Sequence, residues 1–128
     1  MPLLVPSSAL IVDDEAHIRV FVRMILAKLG VETFYEAGDV AAARELWKAH
    51  RPGLVMLDIN MPGEDGLVLV PEIRADDDEV YLVILSANAQ SGTVKEAVEG
   101  GADGFIRKDR PREEIAAELA EIFEQSEE

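Results

Sequence analysis

Cysteine is absent from the 128 residues, which excludes disulfides, thiolate zinc sites and thiol nucleophiles. No apolar run approaches the roughly 18 residues of a membrane span. The opening Met1-Pro2-Leu3-Leu4-Val5-Pro6-Ser7-Ser8 lacks the basic start of a secretion signal. The expectation is a soluble, cytoplasmic domain without membrane contact. Basic residues are scarce: 12 Lys and Arg stand against 26 Asp and Glu, for a net charge of −14. So acidic a chain repels phosphate backbones, which argues against direct nucleic-acid binding and favours divalent cations or basic partner surfaces. Neither a Gly-x-Gly-x-x-Gly run nor a P-loop follows any apolar segment, which argues against a dinucleotide or nucleotide fold. Internal repeats, low-complexity stretches and inter-domain linkers are missing as well. With 48% apolar and 30% charged side chains, the chain reads as one globular domain, able to bury about two-thirds of its unfolded surface.

What is present is an alternation of apolar runs and helical patterns. Leu10-Ile11-Val12 stops abruptly at Asp13-Asp14, as a buried strand does at a loop. Ile18, Phe21, Val22, Ile25, Leu26 and Leu29 then recur at helical spacing, with Gly30 where a helix stop belongs. A weaker strand over 32–36 and a helix marked by Val40, Ala43, Leu46 and Trp47 follow, ending before Pro52. Leu54-Val55-Met56-Leu57 stops on Asp58. A turn-rich loop, Met61 to Gly66, leads to a helix over about 67–75. Val80 to Leu85 stops on Ser86. Val94, Ala97 and Val98 mark a fourth helix closed by Gly100-Gly101, and Gly104-Phe105-Ile106-Arg107 stops on Lys108. Pro111 opens a last helix with Ile115, Leu119, Ile122 and Phe123 on its inner face. Strands one, three and four are apolar on both alternations, so they need cover on both faces. Five βα units around a parallel sheet supply it.

Ligands of such sheets bind beyond the carboxyl ends of the strands. There stand Asp13, Asp14, Asp58, Ser86 and Lys108. Three carboxylates brought into one cleft repel one another unless a cation lies between them, and oxygen ligands of this kind suit Mg²⁺. The Ser86 hydroxyl and Lys108 ammonium, without acceptor partners among these five, make a receptor for an anion such as a phosphoryl group. A metal, a carboxylate nucleophile and an anion pocket are the parts of phosphoryl transfer to an aspartate.

The chain resembles the receiver domains of two-component response regulators over residues 9–124, with 1–8 as an N-terminal extension and 125–128 as an acidic tail. The likeness lies in Val12-Asp13-Asp14-Glu15, in Leu57-Asp58-Ile59-Asn60-Met61-Pro62-Gly63 with Asp65-Gly66, in Leu85-Ser86-Ala87, and in Gly101-Ala102-Asp103-Gly104-Phe105 running on to Lys108. It implies a flavodoxin-like α/β fold, a doubly wound (βα)5 with strand order 2-1-3-4-5. It also implies that Asp58 accepts a phosphoryl group from a phosphohistidine. Asp14 would bind Mg²⁺ directly and Asp13 mainly through water, with the Asn60 backbone carbonyl completing the set and Mn²⁺ able to substitute. Ser86 and Lys108 would hold the phosphoryl oxygens. Phe105 would turn inward as Ser86 moves, and Asn60 and Asn88 would tune hydrolysis. The surface of helix 4, strand 5 and helix 5 would then control a downstream protein or a fused output domain. A histidine kinase or histidine phosphotransfer protein would supply the phosphoryl group, to a monomer or a phosphorylation-dependent dimer.

Some residues have plainer readings. Asp14 alone could cap the first helix. His17 has no second histidine at ligand spacing, and Arg19 and Arg23 read as solvated charges on the outer face of helix 1. A haloacid-dehalogenase-type phosphatase also uses an aspartate nucleophile, but it needs a second carboxylate two residues on, where this chain has Asn60. Asn cannot transfer that proton, so the expectation is self-phosphorylation and self-dephosphorylation rather than turnover of free substrates. Most receivers have proline after the lysine, joined by a cis bond. Here Asp109 follows, where a cis bond would cost about 2.5–4 kcal/mol, and Asp109 could compete with the phosphoryl group for Lys108. Residues 109–128 hold 2 basic and 8 acidic side chains, which points to a protein partner rather than DNA.

Overall fold

Strands that are apolar on both alternations need two covering layers, and the chain provides them. The computed structural model describes residues 5–61, 63–87 and 91–125. Its elements run β1 (Ser8–Val12), α1 (Ala16–Leu29), β2 (Thr33–Ala37), α2 (Val40–His50), β3 (Leu54–Asp58), α3 (Leu69–Asp76), β4 (Tyr81–Ser86), α4 (Ser91–Glu99), β5 (Gly104–Arg107) and α5 (Arg112–Gln125). The five strands are parallel in the order β2-β1-β3-β4-β5. This is the flavodoxin-like arrangement.

Alternation along each strand sorts the core into two layers. Leu10, Val12, Val55, Leu57, Leu82 and Ile84 face Trp47 of α2, Ile73 of α3 and Ala97 of α4. Ala9, Ile11, Leu54, Met56, Val83 and Leu85 face Ile25 and Leu26 of α1 and Leu119 and Phe123 of α5. Each Leu or Ile so enclosed contributes about 1.5–3 kcal/mol. The central strands are therefore the rigid platform from which Asp13, Asp58 and Ser86 project.

Local signals set the helix ends. Gly30 takes φ 115°, and its N–H bonds back to Leu26 and Ala27, the left-handed stop its position in the sequence promised. Asp39 caps α2 by accepting from the Ala42 N–H at 2.7 Å. Where α2 ends, Arg51 is left-handed at φ 44°, its guanidinium over the Trp47 ring. The Trp47 indole donates to Asp76 at 3.0 Å, tying the last turns of α2 and α3 together.

Several boundaries differ from the sequence reading. β2 lies one residue later, because Thr33 pairs with Ser8 and Ala37 with Val12. The segment read as one helix from 67 begins as a 3₁₀ turn, Gly66–Val68, and becomes α-helical at Leu69. Pro71 falls in the first turn of α3, where its missing N–H costs nothing. The loop after β3 contains a two-residue antiparallel ladder, Asn60–Met61 against Glu64–Asp65. β1 begins at Ser8, and Ser7 already accepts hydrogen bonds from Glu32 and Thr33.

Candidate functional site

The order β1-β3-β4 makes the ends of these strands neighbours. Register places Val12 beside Leu57, Asp58 beside Leu85, and Ser86 beside Arg107, so the residues that follow converge at one edge. Asp13, Asp58 and Ser86 are buried, at 0%, 1% and 0% exposure, whereas Asp14 is exposed. Asp13, Asp14 and Asp58 each bring a carboxylate oxygen within 4.8 Å of the others. Among the described residues no other group of three His, Asp or Glu side chains converges in this way.

Each acid has a defined setting. Asp13 Oδ1 accepts the Glu15 N–H at 2.9 Å, and Asp58 Oδ1 accepts the Asn60 N–H at 2.9 Å. Asp14 is not a helix cap: Glu15 holds that position in α1 and makes no side-chain cap bond. The Lys108 ammonium is not without acceptor partners in the cluster, as the sequence suggested. It lies 2.7 Å from Asp13 Oδ2, 2.9 Å from Asp58 Oδ2 and 3.8 Å from Glu15. Two buried carboxylates attract the nearest cation at this end of the sheet, and that cation is Lys108, which follows β5. Burial pushes the Asp13 carboxyl above its usual 3.8; the Lys108 ammonium and the Glu15 N–H pull it back, and the Asp58 charge adds to the rise. Burial alone would lower Lys108, but its ion pairs with Asp13 and Asp58 outweigh it and raise the ammonium above 10.5.

The Ser86 hydroxyl accepts from the Asn60 side-chain amide at 2.8 Å, a contact the sequence reading missed. Phe105 is half-buried, packed on the layer under α2, α3 and α4. Asn88 and Pro62 lie outside the described residues. His17 is exposed and takes no part in the cluster. Arg19 and Arg23 are not merely solvated: both pair with Glu36 of β2, at 3.0 and 3.4 Å. Lys108-Asp109 is trans, and the Asp109 carboxylate pairs with Arg107, not with Lys108. The glycine under the site is Gly66. A Cβ there would lie 2.5 Å from the Asp58 carbonyl oxygen, so the loop after the ladder packs backbone to backbone against β3.

The donor set fits a hard divalent cation. All its members are carboxylate oxygens, and Asp13 Oδ2, though close to the ammonium, is buried without an aligned hydrogen-bond donor. Carboxylate oxygens, one of them on an exposed side chain, match Mg²⁺ and not soft metals.

Comparison with known proteins agrees with this architecture. The family model for the response regulator receiver domain matches residues 9–120. The chemotaxis protein CheY of Bacillus subtilis strain 168 is 41% identical over 99 residues, 77% of this chain and 82% of that protein. The transcriptional regulatory protein NarL of Mycobacterium tuberculosis is 38% identical over 104 residues, 80% of this chain but 48% of the longer regulator. The solved signal receiver domain of the response regulator NarL from Mycobacterium tuberculosis superposes with a TM-score of 0.80 at 33% identity, covering 92% of this chain and 96% of that one. The chain belongs to the response regulator receiver domain family of two-component systems. Proteins of this family work between kinases and output domains. No helix among the described residues is long and apolar enough to cross a membrane.

Proposed function

We propose that this receiver domain is a phosphorylation-controlled switch whose acceptor is Asp58. One observation carries the reading: a carboxylate at 1% exposure faces two further carboxylates and an ammonium at the open edge of a parallel sheet. An Asp58 oxygen attacks the phosphorus of a phosphohistidine; the O–P bond forms as the P–N bond breaks, and the imidazole leaves as the neutral base after taking up a proton. Asp14, Asp58 and the Asn60 carbonyl would hold Mg²⁺ and Asp13 would hold it mainly through water, with Mn²⁺ able to substitute. When bound, the ion supplies neutralisation of the charge shared between carboxylates and phosphoryl oxygens.

The remaining steps belong to the chain. Lys108 exchanges its carboxylate contacts for a phosphoryl oxygen. Ser86 turns from Asn60 to another such oxygen, and Phe105 packs into the space that the hydroxyl leaves. Because the phosphoryl group contacts this arrangement better than the resting one, it shifts the population towards it. The surface of α4, β5 and α5 changes with it and governs a protein partner or an attached output domain. Residues 9–124 form the working unit, in the cytoplasm, and the domain does not turn over free substrates. Asn60 stands where a phosphatase would need its second acid, and its amide is committed to Ser86.

The test is intact-protein mass after incubation with acetyl phosphate, with and without Mg²⁺, on the wild type and Asp58→Asn. The expected result is a Mg²⁺-dependent gain of one phosphoryl group in the wild type and none in the variant. A wild type that gains nothing overturns the reading.

A further inference from the structure

We propose that Arg19 is a positioning residue for the acidic pair Asp13-Asp14, itself oriented by Glu36. The inference rests on reading the carboxylate cluster as a Mg²⁺ site.

Arg19 lies in the first turn of α1, yet its guanidinium reaches back to the strand that precedes the helix. Nη1 donates to the Asp13 carbonyl oxygen at 2.6 Å, and Nε donates to Glu36 Oε1 at 3.0 Å. The Arg19 side chain is only 20% exposed, and the planar fork serves both acceptors at once. Arg23 steadies the same Glu36 carboxylate from the next turn, at 3.4 Å. On the other side, the Asp13 N–H donates to the Ala37 carbonyl at 3.0 Å. Both polar groups of the Asp13 backbone are thus held, one by β2 and one by Arg19.

What this fixes is the next residue. The peptide joining Asp13 to Asp14 is planar, so holding the Asp13 carbonyl sets the plane from which Asp14 departs. The Asp14 carboxylate is exposed and has no hydrogen bond or ion pair among the described residues. Its place beside Asp13 and Asp58 therefore depends on its backbone. Groups that orient metal ligands without touching the metal typically change affinity 10–100-fold when removed.

The sign of the effect separates positioning from charge. Arg19 is a cation close to a cation site, so by charge alone its removal should tighten Mg²⁺ binding. Loss of positioning should weaken it. Arg19→Ala is therefore expected to raise the Mg²⁺ dissociation constant about tenfold or more. Arg19→Lys keeps the charge, but its single ammonium lacks the fork that spans both acceptors, so its constant should fall between the two.

The experiment is calorimetric titration of the full chain with MgCl₂, together with amide chemical shifts of Asp14 and Glu15, at a temperature where circular dichroism shows each variant folded. If Arg19→Ala does not fold, Arg19→Lys carries the test, since charge is conserved and any weakening is geometric. Weaker binding with displaced Asp14 and Glu15 amides supports the proposal. Unchanged or tighter binding by Arg19→Ala, or wild-type affinity in Arg19→Lys where it alone folds, overturns it while leaving the site reading intact. A wild type that takes no Mg²⁺ overturns the site reading and this inference with it.

Discussion

The side-chain amide of Asn60 donates to the hydroxyl of Ser86 across 2.8 Å, joining the turn after β3 to the end of β4. Ser86 accepts in this bond and would donate to a phosphoryl oxygen, so the two compete through position: the hydroxyl must turn away from Asn60 to reach the phosphoryl group. A neutral hydrogen bond contributes about 1 kcal/mol net, or about fivefold in population. Asn60→Ala keeps the backbone carbonyl and removes only the amide. Beryllofluoride should therefore shift the Phe105 ring resonances at an about fivefold lower concentration in this variant than in the wild type. Equal midpoints would show that the bond does not restrain the switch.

Lys108 stands between two buried carboxylates, 2.7 and 2.9 Å away. Removing one partner of a buried ion pair costs about 3–5 kcal/mol, because the other charges remain without compensation. Lys108→Met should lower the melting temperature by about 10–20 °C in metal-free buffer. Mg²⁺ offsets the same repulsion, so millimolar MgCl₂ should raise the melting temperature more in the variant than in the wild type. Equal increments in thermal unfolding curves would refute this.

The same lysine sets an alkaline limit. Its folded value lies above 10.5 because the ion pairs with Asp13 and Asp58 outweigh burial. A group raised on folding contributes stability fully present below its unfolded value and lost as pH climbs through the folded one. Wild type should lose stability above pH 10.5 that Lys108→Met never had, and their urea midpoints should converge there. Asp13 works at the acid end. Burial first of all raises it above 3.8, so its contribution is lost as pH rises from 3.8 through the folded value, and Asp13→Asn should flatten that fall. Parallel midpoint curves in either window would contradict the assignment.

Gly66 is a steric requirement of the loop that packs against Asp58. An added Cβ would meet the Asp58 carbonyl at 2.5 Å and the Ile59 Cα at 3.1 Å, both backbone atoms that cannot swing aside. Gly66→Ala should cost about 1–3 kcal/mol, the usual range for overpacking, and slow modification of Asp58 by acetyl phosphate. A variant with wild-type stability and rate would mean that the loop moves freely.

Much of this architecture was legible from residue order. Strands that are apolar on both alternations forced the two-layer fold, Gly30 marked the end of α1, and Asp13, Asp14, Asp58, Ser86 and Lys108 each follow or end an apolar run. Part of what stayed hidden depends on partners far apart in the chain. Lys108 and Asp58 are 50 residues apart, and nothing local says that the ammonium leans inward onto carboxylates. Arg19 sits on the polar stripe of α1, where solvation is the ordinary reading; only the placement of β2 beside β1 delivers Glu36 to it. The ladder from Asn60 to Asp65 has two residues a side, too few for an alternation to show. Likewise the sequence left Asp109 facing Lys108, whereas Arg107, two residues earlier, claims it.

The hydrogen bond between Trp47 and Asp76 has a practical side. It joins the last turns of α2 and α3, which lie at the end of the sheet opposite to the acids, and Trp47 is the chain's single tryptophan, 2% exposed. Its emission is therefore a gauge of whether the molecule is folded and stays silent about what sits among the carboxylates. Unfolding and occupancy can be followed in one cuvette by separate signals, the indole for the first and an added probe at the far edge for the second.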